Sequence, residues 1–418
     1  MEKETTEREG RIYTRRLLHA NAEVGFDLPK TRKIITDTLD KEEVEYKTVG
    51  KGSLVARVGQ GKCASLLRAD IDALPLREES ALPFASKNDT MHACGHDMHT
   101  AMLLGALSAL KKKEQHLPTE VRFLFQASEE NLEGAHDAIS SGILQEWDEI
   151  GSENEDKCKQ LLEKHDNFFV KRAFSIHCIV GVPLKCGTLV VSDGGVSASA
   201  STFFSVRVFG ENAHGGAPHL GKDALCALHA IYSAFLSLPE RSVSLVDMPL
   251  ISVGQMKAGN APNVIASEGE MLGTVRTRCD DTQKTLTDAL SETAQEIAVA
   301  YGVRCEFSVL GHAPTLCNDS ALADLSLLHL KRMFAPDCVL RASEIYGGET
   351  QKQNGGSEDF ANFSHLVPSL LIGICAGDSR GGYTFPLHHP SVRFDEDALH
   401  IGAKVYETLA TLPISDTE

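Results

Sequence analysis

Between Ser199 and His312 the hydrophobic pattern breaks from what lies on either side of it. Phe204, Val206 and Val208 alternate with polar residues, as a half-buried strand requires. A helical stretch follows with Leu225, Leu228, Tyr232 and Phe235 on one face, then extended runs at Ile251–Met256 and Glu270–Thr277. Leu286, Leu290 and Ile297 align on a second helix, and Val303, Cys305, Phe307 and Val309 alternate on a last strand. The order β-α-β-β-α-β is that of a ferredoxin-like unit. It reads as a second domain inserted into a first, dividing the chain into residues 1–198, 199–312 and 313–418, with the outer two parts forming one domain.

The outer parts alternate helical and extended patterns, which favours an α/β fold with a sheet flanked by helices. Ala64–Asp70 (ASLLRAD) and Val121–Gln126 (VRFLFQ) read as buried strands ending in polar residues, and Met98–Lys111 reads as a helix. Sites in such sheets lie beyond the carboxyl ends of strands, so the polar clusters after LLRAD and FLFQ are where one is expected. The last element predicted is a helix near Asp395–Leu409. The strongly charged segment Glu146–Asp166 fits neither pattern and reads as a solvated excursion.

A length of 418 residues suits two or three domains. The formal charge of −17 argues against a nucleic-acid or anionic-membrane partner. The longest apolar runs fall short of the roughly 18 residues a membrane span needs, and Met1–Gly10 carries no apolar signal core, so a cytoplasmic protein is expected. Eleven scattered cysteines without a CxxC pair point to a reducing compartment rather than a disulfide framework. Most of them are expected to be small buried hydrophobes, with Cys94 the exception.

Cys94 stands in MHACGHDMH (Met91–His99), which packs three histidines, a cysteine and an aspartate into nine residues. Thiolate and imidazole together suit zinc and similar divalent ions, and Cys94 and His96 can reach one point only from an extended turn. Glu129 and Glu130 follow FLFQAS directly. Adjacent acids at a buried strand end can divide labour, one on a metal and one as base. Asp70 and Asp72 bracket the end of LLRADIDALP, His177 ends the strand AFSIHC, and His388 lies in FPLHHP. There is no Walker loop, GxGxxG fingerprint or HExxH, so the chemistries those motifs carry find little support.

Taken in order, LLRADIDALP, MHACGHDMHTAMLLGAL, FLFQASEENLEGA, FSIHC, NAHGGAPHLGKDAL, GNAPNVIA, GTVRT, GGSEDF and LHHPSVRF resemble the aminoacylase and carboxypeptidase family of dinuclear metallohydrolases. The similar branch holds bacterial N-acyl-amino-acid amidohydrolases, hippurate hydrolases and plant indole-acetyl-amino-acid hydrolases. The resemblance implies two divalent ions per chain, zinc or manganese, held by Cys94, His96, Glu130, His177 and His388. Cys94 would bridge, with Glu130 and His388 on one ion and His96 and His177 on the other. Glu129 would be the general base, Asp72 would orient an imidazole, and His214 would stabilise the tetrahedral intermediate. Asn263 and Arg276 would grip the substrate carboxylate. The implied activity is hydrolysis of N-acyl amino acids by a metal-activated water. A dipeptidase, an aminobenzoyl-glutamate hydrolase or a silent binding protein is the alternative. A homodimer paired through the inserted domain is also implied. Two departures stand out: the acidic excursion at Glu146–Asp166, and Ala127 where this branch usually has proline.

Overall fold

In this computed structural model the described residues are 2–151, 168–346 and 356–414. Helices α1 (Glu2–Ala20) and α2 (Pro29–Lys41) precede strands β1 (Tyr46–Val49), β2 (Ser53–Val58) and β3 (Ala64–Asp70). Then come α3 (His96–Lys111), β4 (Glu120–Gln126), β5 (Val170–Ile179), β6 (Leu189–Val191) and β7 (Gly195–Ala198). The middle stretch holds β8 (Ala200–Phe209), α4 (Ala224–Phe235), β9 (Leu250–Ala258), β10 (Glu268–Thr277), α5 (Asp280–Ala300) and β11 (Arg304–Ala313). The chain returns through β12 (Leu316–Asn318), α6 (Ser320–Met333), β13 (Val339–Arg341), β14 (Ser369–Cys375) and α7 (Ala398–Ala410). Described residues up to 197, 317–346 and 360–414 form one compact unit; 198–316 and 356–359 form another.

The first unit is built on a mixed eight-stranded sheet of order β1-β2-β4-β3-β5-β14-β6-β13. At its centre β4, β3, β5 and β14 run parallel. Every residue of β3 and β4 is buried, which explains why both read as unbroken apolar runs rather than alternating ones. Helix α3 packs on β3 and against α1 and α7. Tyr406 of α7 donates to the Arg68 carbonyl at 2.6 Å and accepts from the Ile176 N–H at 3.1 Å, stitching β3 to β5 near their carboxyl ends.

The second unit is a four-stranded antiparallel sheet of order β11-β8-β10-β9, with α4 and α5 packed on it. This is the strand order of a split β-α-β unit. Phe204, Val206 and Val208 of β8 meet Leu228, Ile231 and Phe235 of α4 and Leu286 and Leu290 of α5 in its core. The predicted face of α4 is rotated: Ala224, Ala227, Leu228, Ile231 and Phe235 are buried, whereas Leu225 is exposed and Tyr232 lies at the margin. Two small alanines complete the inward stripe, and counting only large apolar residues misplaced it.

Two other expectations change. Of the ten described cysteines, all free thiols, only Cys94, Cys178, Cys305 and Cys375 are buried, since so small a side chain loses little when exposed. The expected excursion begins docked rather than solvated. Trp147 is buried, donates from Nε1 to Glu45 at 2.8 Å, and takes Lys47 Nζ on its carbonyl at 2.6 Å. The rest of that segment, residues 152–167, lies outside the described residues.

Helix α1 is fastened by a buried charge cluster. Asp97 of α3 is ion-paired with Arg15, whose Nε lies 2.7 Å away, and accepts from His19 Nδ1 at 2.8 Å, while His19 Nε2 faces Glu78 at 3.0 Å. Only an imidazolium donates from both nitrogens. Burial works against that charge, but Asp97 and Glu78, opposed by Arg15, raise the His19 pKa above its ordinary value. His19 therefore stabilises the fold fully below about pH 6.5, and the contribution is lost as pH rises through its higher folded value. His19→Gln should cost about 1–3 kcal/mol at pH 6 and remove this part of the decline between about pH 6 and pH 9. Denaturant titrations of both proteins at the two pH values check this; parallel declines would refute it.

Candidate metal centre

The carboxyl ends of β3, β4 and β5 converge on one point, and the residues just beyond them line it. Gly95, at φ 92°, is the left-handed N-cap of α3. It turns the chain so that buried Cys94 precedes the helix and His96 opens it, which is why the helix begins two residues earlier than the hydrophobic pattern shows. A Cβ on Gly95 would lie 3.1 Å from the Phe394 ring and 3.3 Å from Cys178 Cβ. After β4 the backbone takes positive φ at Ser128 (57°) and Leu132 (58°), presenting Glu129 and Glu130 from a tight loop. The chain folds back so closely at Gly134 that a Cβ there would sit 1.7 Å from the Ala127 carbonyl oxygen. Ala127 uses its N–H to donate to Ser53 Oγ at 3.1 Å, a bond proline could not make.

Ligand atoms of Cys94, His96 and His177 lie within 4.8 Å of one another, as do those of Cys94, Glu130 and His388, and those of His96, Glu129 and Glu130. Cys94 Sγ is 3.4 Å from His177 Nε2, and His388 Nε2 is 3.6 Å from Glu130 Oε1. His388, at φ 65°, is tied by its N–H to the Ala93 carbonyl at 3.0 Å. His96 donates from Nδ1 to the Asp72 carbonyl at 2.9 Å, and the Asp72 carboxylate accepts from the Glu130 N–H at 3.2 Å. Asp72 thus steadies an imidazole and the acidic loop together. His177 likewise turns Nδ1 to the Cys178 carbonyl at 2.9 Å, so both histidines aim Nε2 inward.

The electrostatics are those of a site with surplus negative charge. Burial alone would disfavour a His96 imidazolium, but Asp70, Asp72 and Glu130 outweigh it and push its pKa up to about 10. His92, also buried, goes the other way: desolvation pushes it down to about 3, and neither ring nitrogen finds a hydrogen-bond partner among the described residues. The histidines of MHACGHDMH are therefore not equivalent.

The residues expected to handle substrate lie in the second unit. His214 and Asn263 are exposed neighbours: Gly215 donates to the Asn263 carbonyl at 2.8 Å and His214 bridges to Val264. His214 Nδ1 accepts from the Gly216 N–H at 2.9 Å. Arg276 is on β10, half-buried, and donates to Ser357 Oγ at 3.1 Å.

The profile of Peptidase family M20/M25/M40 matches residues 66–412. The chain belongs to that family. It is 30% identical to the N-acetylcysteine deacetylase of Bacillus subtilis over 406 residues, covering 96% of each chain. It is 32% identical to the N-acyl-L-amino acid amidohydrolase of Geobacillus stearothermophilus over 315 residues, 74% of this chain and 78% of that one. Its fold matches the crystal structure of a dinuclear metal-binding M20 peptidase of Bacillus subtilis with a TM-score of 0.69 at 27% identity, covering 97% and 98% of the two chains. As an M20 member it is a hydrolase of amide bonds, in a family that binds metal in pairs.

The donor set here fits such metals. A thiol, imidazoles and carboxylates suit a borderline divalent cation. His96 Nε2 is buried without a hydrogen-bond partner among the described residues, although its Nδ1 is fixed. A buried polar nitrogen so placed costs free energy unless something binds it.

Two buried residues beside the M20 centre had no role read for them in the sequence, Asp70 and His99. His99 Nδ1 lies 2.6 Å from Asp70 Oδ1. Their spacing in separate motifs carries no sign of this contact, though both stand in clusters that the sequence marks.

Gly95 supplies a direct test of the turn. Gly95→Ala should cost about 1–3 kcal/mol, the strain of a left-handed non-glycine residue against Phe394 and Cys178. It should also lower metal retained after dialysis, measured by elemental analysis beside a denaturation curve. Unchanged stability and metal content would show that the turn is not constrained.

Proposed function

We propose that this M20 protein is a cytoplasmic amidohydrolase that removes the acyl group from N-acyl amino acids at a pair of divalent ions. The observation that carries the reading is that the donors fall into two sets sharing one residue, Cys94/His96/His177 and Cys94/Glu130/His388. Cys94 would bridge, and those five residues would hold the ions. The free thiols of the chain are compatible with a reducing compartment. Cys94 favours zinc by softness, with manganese the alternative that carboxylate donors allow.

When bound, such ions acidify a water and polarise a carbonyl. The chain's own residues do the rest. Glu129, buried beside His96 and Glu130, would take the proton of the attacking water and return it to the leaving amine. Asp72 would hold His96 and the acidic loop in register. Asn263 and Arg276 would grip the substrate carboxylate, Arg276 as a guanidinium fork.

Elemental analysis of the reconstituted protein should find about two divalent ions per chain, and chelation should abolish turnover of N-acetyl and N-benzoyl amino acids. Glu129→Gln should lower turnover about a hundred- to ten-thousand-fold with metal retained. Glu130→Gln should also lose metal. One ion with full activity, or the two variants behaving in reverse, would overturn the assignment.

His214 would stabilise the oxyanion, and we propose that it serves the site of a second copy in a homodimer. Support comes from its exposure on the second unit, beside Asn263. His214→Ala and Glu129→Gln chains, each inactive, should regain activity when mixed, because a heterodimer then carries one intact site. No recovery with heterodimers demonstrated would place His214 in its own chain's site or outside catalysis.

A further inference from the structure

Among the buried groups around the centre, His99 has both ring nitrogens committed. Its Nε2 accepts from the Cys178 N–H at 2.8 Å, so that nitrogen carries no proton. Nδ1 then carries it and donates to Asp70 Oδ1 at 2.6 Å. The other oxygen of Asp70 accepts from Arg68 at 2.8 Å, and Arg68 is held by Gln126 at 3.0 Å. Asp70, Arg68, Gln126 and His99 are all fully buried.

The backbone explains why an imidazole is needed there. The ladder between β3 and β5 ends at Arg68 and Ser175. Beyond it the β5 amides turned away from β14 meet no strand among the described residues, and two side chains take over, Tyr406 for Ile176 and His99 for Cys178. Cys178 is the residue whose carbonyl accepts from His177 Nδ1, and the His99 and His177 rings lie 4.8 Å apart between centroids. His99 therefore grips the N–H of the residue whose C=O aims His177.

We propose that His99 is a positioning residue: through the Cys178 backbone it fixes the direction of His177 Nε2, and Asp70 with Arg68 fixes the tautomer that lets it do so. This rests on the reading of His177 as a ligand given above. The rival is that Asp70, His96 and His99, whose atoms also lie within 4.8 Å of one another, hold a cation themselves. Against it, His99 has no lone pair to spare, and the Arg68 guanidinium already occupies Asp70 at 2.8 Å.

The test uses the full-length protein loaded with Co2+ alone, reading stoichiometry, the dissociation constants of the two ions by chelator competition, and the visible Co2+ spectrum. His99→Leu removes the acceptor. It should weaken one ion about 10- to 100-fold, the range for loss of a residue supporting a ligand, leave the other near its wild-type affinity, and alter the spectrum. His99→Gln places an amide oxygen near Nε2 and an N–H toward Asp70, and should restore most of the lost affinity. If His99→Leu does not fold, His99→Asn replaces it: polar, but too short for the Cys178 amide, with the same selective weakening expected. Wild-type affinities and spectrum in His99→Leu or His99→Asn would overturn the proposal. So would equal loss in His99→Gln, which would make His99 a ligand. Failure of the underlying metal reading shows separately, as wild-type protein that does not bind two ions or a His177→Ala variant that binds Co2+ unchanged.

Discussion

Negative charge buried around a single imidazole is the constraint on which the first unit turns. Asp70, Asp72 and Glu129 are buried, and Glu130 is nearly so, around one imidazole. Ionised carboxylates survive such burial only when paired, hydrogen-bonded or bound to a cation. Arg68 answers Asp70, and the Glu130 N–H answers one oxygen of Asp72. His96 Nε2 lies within 3.9 Å of Asp70, Glu129 and Glu130, a place where a divalent cation would also be met by negative charge.

The parallel centre of the sheet is what makes that concentration of charge achievable. Strands β4, β3 and β5 run the same way, so their carboxyl ends fall at one edge and their loops meet. Each loop then needs a backbone departure to turn its side chain inward: Gly95 before α3, Ser128 and Leu132 after β4, and His388 in the returning segment. Three of the six non-glycine residues at positive φ among those described, Ser128, Leu132 and His388, lie at this edge, while β3 and β4 behind it are fully buried.

These two facts account for what the sequence discloses. LLRAD and VRFLFQ are legible as strands because burial on both faces leaves an unbroken apolar run, and CGHDMH is legible as a donor cluster because its ligand types are rare in such density. The start of α3 is not, since a left-handed cap is a matter of φ rather than hydrophobicity. Neither is the face of α4, where Ala224 and Ala227 carry the stripe that Leu225 seemed to extend. His99 is hidden for another reason. Its partner Cys178 is 79 residues away, and the contact fills a place left by a strand that ends early, which only the assembled sheet reveals.

The same assembly grades the centre from inside to outside. Cys94 and His96 are buried, His177 and Glu130 are half-buried, and His388 keeps 54% of its side chain exposed. On the proposed assignment one ion would be held by residues of α3, β5 and the turn before α3, and the other by Cys94, Glu130 and the loop residue His388 at positive φ. Cys94 belongs to both sets and joins them. The supports behind the first set act locally: His99 reaches it through Cys178 alone, and Asp72, which holds His96, meets the second set only at the Glu130 amide.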